Sequence, residues 1–205
     1  MIRNIIRIKL RSYLEKCIIH LLIKLGVSPN LMTLTGLLGA AISAYMVSRG
    51  ELLIGGITLL VASLFDMLDG ALARAANRVT EFGALFDSVI DRLSEMVLLI
   101  GLMIYYLDKS SYEGVIVVYL AFGTSLMVSY LRARAGGMGI DCEVGIMTRP
   151  ERIVVLSVGL VIGQWFEIAI IIFLGIITLF SFITCGQRMM HISKELTKRQ
   201  SVNSS

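Results

Sequence analysis

Charge is scarce in this chain. Of its 205 residues only 17% are charged while 56% are hydrophobic, and the mean hydropathy is +0.81. That balance excludes an ordinary soluble domain and places the chain in a bilayer. Cysteine and histidine are scarcer still. Cys17, Cys142 and Cys185 stand apart from one another, as do His20 and His191, so there is neither a disulfide framework nor a CxxC metal clip. The solitary histidines read as structural or interfacial residues, and the 11 scattered methionines as packing or lipid-facing ones. No base-reading motif and no interleaving of aromatic with basic residues is present, so the net charge of +4 and the pI near 9.1 do not point to nucleic acid. The N-terminal segment lacks the uninterrupted apolar core and small-residue cleavage site of a signal peptide. Internal repeats, a second domain and a long linker are also missing.

What is present is a series of uncharged runs, over residues 25–48, 52–65, 96–107, 114–131, 153–166 and 168–187. A helix crossing the hydrocarbon core needs about 20 mostly apolar residues. The second and third runs, 14 and 12 residues long, reach that length only by extending into an acid-containing stretch, which puts its acids near one end of each helix. The expected fold is therefore an all-α integral membrane protein with six transmembrane helices over residues 29–193. Residues 1–28 are expected to form an amphipathic helix lying in the interface, with Ile2, Ile5, Ile6, Leu14, Ile18 and Leu21 on one face and Arg3, Arg7, Arg11, Glu15 and Lys16 on the other. Pro29 disfavours helix at Ser28 and suits the first position of a new helix. Residues 194–205 read as a polar tail.

Basic residues orient the bundle. They crowd the first 28 residues, the 2–3 connection (Arg74, Arg78), the 4–5 connection (Arg132, Arg134, Arg149, Arg152) and the tail (Arg188, Lys194, Lys198, Arg199), while the opposite side has only Arg49 and Lys109. The positive-inside tendency then places both termini, the acidic stretch and the 4–5 connection on the cytoplasmic side of a multi-pass protein of the cell membrane.

The acids sit at Asp66, Asp69, Asp87 and Asp91. Spacings of three and four put each pair on one face of its helix. Gly83, Asp87 and Asp91 form one stripe, and Gly70 and Ala73 offer small surfaces beside the first pair. An antiparallel hairpin turning near Asn77 to Thr80 would bring four carboxylates together. Unpaired, these would repel and take up protons, whereas a divalent cation relieves the repulsion. Hard oxygen ligands suit Mg²⁺, Mn²⁺ or Ca²⁺. Since Mg²⁺ is commonly shared between carboxylates and substrate phosphates, a phosphate-bearing substrate is expected, with Arg74 placed to touch it. A divalent-cation transporter is the alternative from another class. Arg74, the small residues and the basic 4–5 connection favour phosphate chemistry, and transporters commonly place their site at the midplane of an internal repeat.

The pattern Asp66-x-x-Asp69-Gly70-x-x-Ala73-Arg74, eight residues, then Gly83-x-x-x-Asp87-x-x-x-Asp91, resembles the signature of the CDP-alcohol phosphatidyltransferase family at every motif position and in both spacings. The stretch Gly26 to Asn30, followed by Thr33 and Gly36, resembles the family's N-terminal pattern, so the likeness covers nearly the whole chain. It implies a homodimeric membrane enzyme that moves a phosphatidyl group from a CDP-linked lipid, CDP-diacylglycerol or CDP-archaeol, to an alcohol and releases CMP. It further implies two bound ions, Mg²⁺ or Mn²⁺, on Asp66, Asp69, Asp87 and Asp91, with Asp91 either a ligand or also the catalytic base. Pro29, Asn30, Thr33, Asp69, Gly70, Ala73, Arg74 and Gly83 would then line the CDP-lipid site.

The acceptor is read elsewhere. Arg132, Arg134, Arg149 and Arg152 exceed what orienting one connection requires, and guanidinium groups recognise phosphate bidentately. They serve either as topology signals and headgroup contacts or as a site for a phosphorylated acceptor. The pattern of Arg132-x-Arg134-Ala135, Gly145 and Arg149-x-x-Arg152 resembles the prokaryotic phosphatidylinositol-phosphate synthase branch, with Arg132 where that branch commonly has Lys and Thr148 where it commonly has an acid. The resemblance implies inositol phosphate as acceptor, its phosphate held by these arginines and Arg188. Phosphatidylglycerophosphate synthase, with a glycerol phosphate acceptor, is the nearest rival.

Overall fold

The computed structural model describes residues 24, 28–75 and 80–203, with residues 66–71, 73, 74, 202 and 203 described by their backbone alone. The interfacial helix expected over residues 1–28 lies, apart from Lys24 and Ser28, outside the described residues, as do Arg78 and the other turn residues before Thr80. Six helices follow: α1 (Pro29–Ser48), α2 (Leu52–Ala75), α3 (Glu81–Asp108), α4 (Tyr112–Gly137), α5 (Arg149–Gly163) and α6 (Ile168–Asn203). No strand occurs among the described residues.

Local chemistry explains where the helices begin. Ser28 is extended and its hydroxyl accepts the Leu31 N–H at 3.2 Å, with Pro29 opening the helix as its sequence position suggested. Thr80 caps α3 in the same way through the Gly83 N–H at 3.0 Å, and Ser111 caps α4 through the Gly114 N–H at 3.3 Å. At α5 the Glu151 carboxylate reaches back to the Thr148 N–H at 3.0 Å, one half of a capping box. Residues 194–203, expected as a polar tail, continue α6 as helix.

The helices close into a ring. α1 packs on α2 and α3, α2 on α5, α5 on α6, α6 on α4, and α4 on α3. Alternating chain direction gathers the start of α1, α3 and α5 and the end of α2, α4 and α6 at one end, called here the site end. At the far end the Leu53 N–H donates to Gln164 Oε1 at 2.9 Å, and Lys109 pairs with Glu167 beneath the Tyr105 ring. The hydrogen bond to Glu167 raises the Lys109 pKa. Leu98, Leu102, Val118, Leu160, Ile170 and Leu174 fill the interior. Where α3 crosses α1, a Cβ on Gly101 would stand 2.4 Å from the Ala44 carbonyl oxygen, so only glycine permits that approach.

Outward faces are apolar. Leu31, Leu34, Leu38, Ile42 and Tyr45 form an exposed stripe along α1, with Ile116 and Leu120 on α4 and Ile172, Leu179 and Phe182 on α6 their counterparts. A helix facing water would carry polar residues there. α1, α4 and residues 168–201 of α6 are long and apolar enough to cross a membrane, and residues 52–65 of α2 form a shorter apolar segment. The described residues thus form an all-α membrane protein of six helices, three of which meet the length and composition of a span on their own. α5 differs from its expected run: it spans 149–163 rather than 153–166, because Gln164 and Trp165 form a turn.

Candidate active site

A polar cavity of about 470 Å³ opens at the site end among α3, α4, α5 and α6. Asp87, Asp91 and Glu95 reach it from α3, each one turn after the last, so they share the face that begins at Gly83. Arg132 comes from α4, Arg149 and Arg152 from the first turn of α5, and Arg188 from α6. Six charged positions proposed from sequence therefore meet at one place: two motif acids and four arginines.

Their partners differ. Arg149 Nη1 lies 2.6 Å from Asp91 Oδ1, with both side chains mostly buried. Arg152 is 3% exposed and grips Glu95 in a fork, Nε to Oε1 at 2.7 Å and Nη2 to Oε2 at 2.8 Å. Arg188 is equally buried and donates from Nε to the Val144 carbonyl at 2.9 Å and from Nη1 to the Val128 carbonyl. Arg132 is exposed, with Nη2 3.1 Å from Glu143 Oε1. The two ion pairs from α5 to α3 follow from spacing: Arg149 and Arg152 are three apart, Asp91 and Glu95 four apart, and both intervals keep one helix face.

Arg134 stands apart. It is exposed and does not line the cavity. The stretch 130–154, read from sequence as a connection, is helical at both ends: α4 continues to Gly137 and α5 starts at Arg149. Within a helix two residues are about 200° apart, so Arg132 and Arg134 face opposite ways.

The true connection, residues 138–148, is fastened to α6. The Met147 N–H donates to Thr184 Oγ1 at 3.0 Å, Arg188 holds Val144, His191 Nε2 lies 3.0 Å from the Asp141 carbonyl, and Arg199 Nη1 donates to the Met138 carbonyl at 2.7 Å. Gly145, at φ 139°, passes so close to Thr184 that a Cβ would meet its methyl at 2.4 Å.

Elsewhere at the site end, Pro29 and Asn30 open α1 beside the start of α3, where a Cβ on Gly83 would lie 3.9 Å from Asn30 Oδ1. Thr33 is buried and donates to the Pro29 carbonyl at 3.2 Å. The backbone places Asp66, Asp69, Gly70, Ala73 and Arg74 on the last turns of α2, at the same end; their side chains lie outside the described residues. Among the described residues no three potential ligands form a metal site. Asp87 and Asp91 supply two hard oxygen donors one turn apart, a donor type that fits Mg²⁺ or Mn²⁺.

Glu95 was missed as a site residue. Its signal was the spacing of four that carries the stripe of Gly83, Asp87 and Asp91 one turn further.

Residues 26–185 match the CDP-alcohol phosphatidyltransferase family model. The chain belongs to this family. One member, archaetidylinositol phosphate synthase of Methanothermobacter thermautotrophicus, is 37% identical over 177 residues, covering 84% of this chain and 87% of the relative. The crystal structure of Mycobacterium tuberculosis phosphatidylinositol phosphate synthase with CDP-DAG bound superposes with a TM-score of 0.78 at 28% identity, over 87% of this chain and 92% of that one. The same enzyme in complex with manganese and citrate gives 0.79 at 29% identity, over 87% and 88%. The cavity with its acids and arginines thus sits in a chain whose family was legible in its motif.

Proposed function

We propose that this CDP-alcohol phosphatidyltransferase transfers a phosphatidyl or archaetidyl group from a CDP-linked lipid to inositol phosphate, with release of CMP. The observation that carries this reading is the meeting of Arg149 and Asp91 at 2.6 Å in a cavity that also holds Arg132, Arg152 and Arg188. An acceptor phosphate engaged by these arginines brings its hydroxyl beside the motif acids. The two named relatives, synthases of an archaetidyl and a phosphatidyl inositol phosphate, support the same acceptor.

The chemistry balances with this chain's own groups. The acceptor hydroxyl oxygen bonds to the lipid-side phosphorus, the bond from that phosphorus to the CMP phosphate oxygen breaks, and the hydroxyl proton passes to the Asp91 carboxylate. Arg149 and Arg152 orient the acceptor by its phosphate, converting an encounter into a positioned attack. Asp66, Asp69, Asp87 and Asp91 would hold Mg²⁺ or Mn²⁺; when bound, such ions polarise the diphosphate and offset charge on the leaving CMP. Asn30 and Gly83, with the Gly70, Ala73 and Arg74 positions of α2, form the CDP side. All six helices cross the bilayer in this reading, the acidic ends of α2 and α3 reaching the cytoplasmic interface, and the enzyme works as a homodimer.

The test is CMP release by purified protein in detergent, given CDP-diacylglycerol or CDP-archaeol, Mg²⁺ or Mn²⁺, and inositol phosphate, glycerol phosphate or inositol. Metal-dependent release with inositol phosphate is expected. Release with glycerol phosphate instead overturns the acceptor, and no release with any acceptor overturns the enzyme reading in favour of cation transport.

A further inference from the structure

Glu95 contributes to the cavity without belonging to the family's motif. Its two carboxylate oxygens take one edge of the Arg152 guanidinium, Nε and Nη2, while Arg152 Nη1 points at the Met147 carbonyl at 3.4 Å. A guanidinium has five N–H donors, and this arrangement leaves one on each terminal nitrogen, the two adjacent donors that suit a phosphate. Arg152 lines the polar cavity and is 3% exposed, so its angle is set by these contacts rather than by solvent. Without a partner, a cation at that depth is strongly destabilising. Glu95 offsets that cost and fixes the direction of the free edge.

We propose that Glu95 is a positioning residue for the phosphorylated acceptor, acting through Arg152. The proposal rests on the acceptor-phosphate reading above and adds a residue to it. Two simpler roles predict different outcomes. If Glu95 mattered only through its charge, its removal would make the cavity more positive and strengthen anion binding. If the pair only clamped α3 to α5, its loss would weaken both substrates together with the fold. Positioning predicts weaker acceptor binding at unchanged donor binding, and predicts that the effect vanishes once Arg152 is gone.

The experiment is a double-mutant cycle on the purified full-length protein with Glu95→Gln, Arg152→Met and both together. CMP release gives KM for inositol phosphate and for the CDP-lipid, and a thermal-shift titration gives the affinity for inorganic phosphate. Glu95→Gln is expected to raise the acceptor KM and weaken phosphate binding by about tenfold, with the CDP-lipid KM within about twofold of the parent, as befits a lost charge-assisted hydrogen bond. In the Arg152→Met background the same change is expected to add nothing. An acceptor KM that is unchanged or lower in Glu95→Gln overturns the proposal, as does an equal factor in the Arg152→Met background. Glu95→Asp, which keeps the charge but shortens the reach, should fall between parent and Gln. Should Glu95→Gln fail to fold, phosphate binding by Glu95→Asp equal to the parent's overturns the proposal. The phosphate titration reads Glu95 even if glycerol phosphate replaces inositol phosphate as acceptor, so that failure of the acceptor assignment and failure of this inference are separate results.

Discussion

Arg149 and Asp91 touch, yet their substitutions should separate. On the proposed function the guanidinium acts on binding: removing it in Arg149→Ala should raise the acceptor KM by about 10- to 100-fold, the range for a hydrogen bond to a charged group, with little effect on the CDP-lipid KM. Arg149→Lys keeps the charge without the planar fork and should lie between. With the carboxylate as the proposed proton acceptor, Asp91→Asn should lower kcat by about 100-fold or more. Steady-state kinetics with each substrate varied checks both, and normal turnover in Asp91→Asn would leave Asp91 without the base role. At this scale the convergence of Asp87 and Asp91 on one cavity was legible, because a spacing of four keeps both on one helix face. Glu95 was not, because its partner Arg152 lies 57 residues away, and one chain read alone does not show which basic residue faces which acid.

Helices and connections carry the next level. Boundaries marked by a cap were readable, as at Ser28 and Pro29, since the signal lies in adjacent residues. The connection after α4 was not, because YLRARAGG looks as much like a loop as like the last turns of a helix. Its true course is set by α6, which reaches up with Thr184, Arg188, His191 and Arg199 to hold residues 138–147. Thr184 is the buried anchor of this strap, and its hydroxyl is the acceptor for the Met147 N–H just before the Thr148 cap of α5. Thr184→Val keeps the shape and leaves that N–H without its partner, a loss of about 1–3 kcal/mol. The expected result is a lowered thermal unfolding midpoint in detergent together with a raised acceptor KM, because α5 carries Arg149 and Arg152 on its first turn. An unchanged midpoint would show that the connection does not depend on Thr184.

At the scale of the whole molecule, basic residues crowd one end of the ring and are few at the other, and the crowding has two causes that can be separated. Arg149, Arg152 and Arg188 line the cavity, where the proposed acceptor site gives them a role. Arg134, Lys194 and Lys198 are exposed and outside it, so they bear on orientation instead. Among the described residues the far end has only Arg49 and Lys109 as basic residues, and Lys109 is paired with Glu167. By the positive-inside tendency the site end is expected to face the cytoplasm. A donor made at the cytoplasmic leaflet and a phosphorylated acceptor, too charged to cross the bilayer, would then meet the cavity on the side where both are found. The check is cysteine labelling in intact cells, in a chain from which Cys17, Cys142 and Cys185 have been removed. Tyr112→Cys, at the exposed start of α4, should react with a membrane-impermeant maleimide added outside, whereas Gln200→Cys, near the end of α6, should react only after lysis. The opposite pattern would invert the protein, and with it the side from which CDP-lipid and acceptor must be supplied.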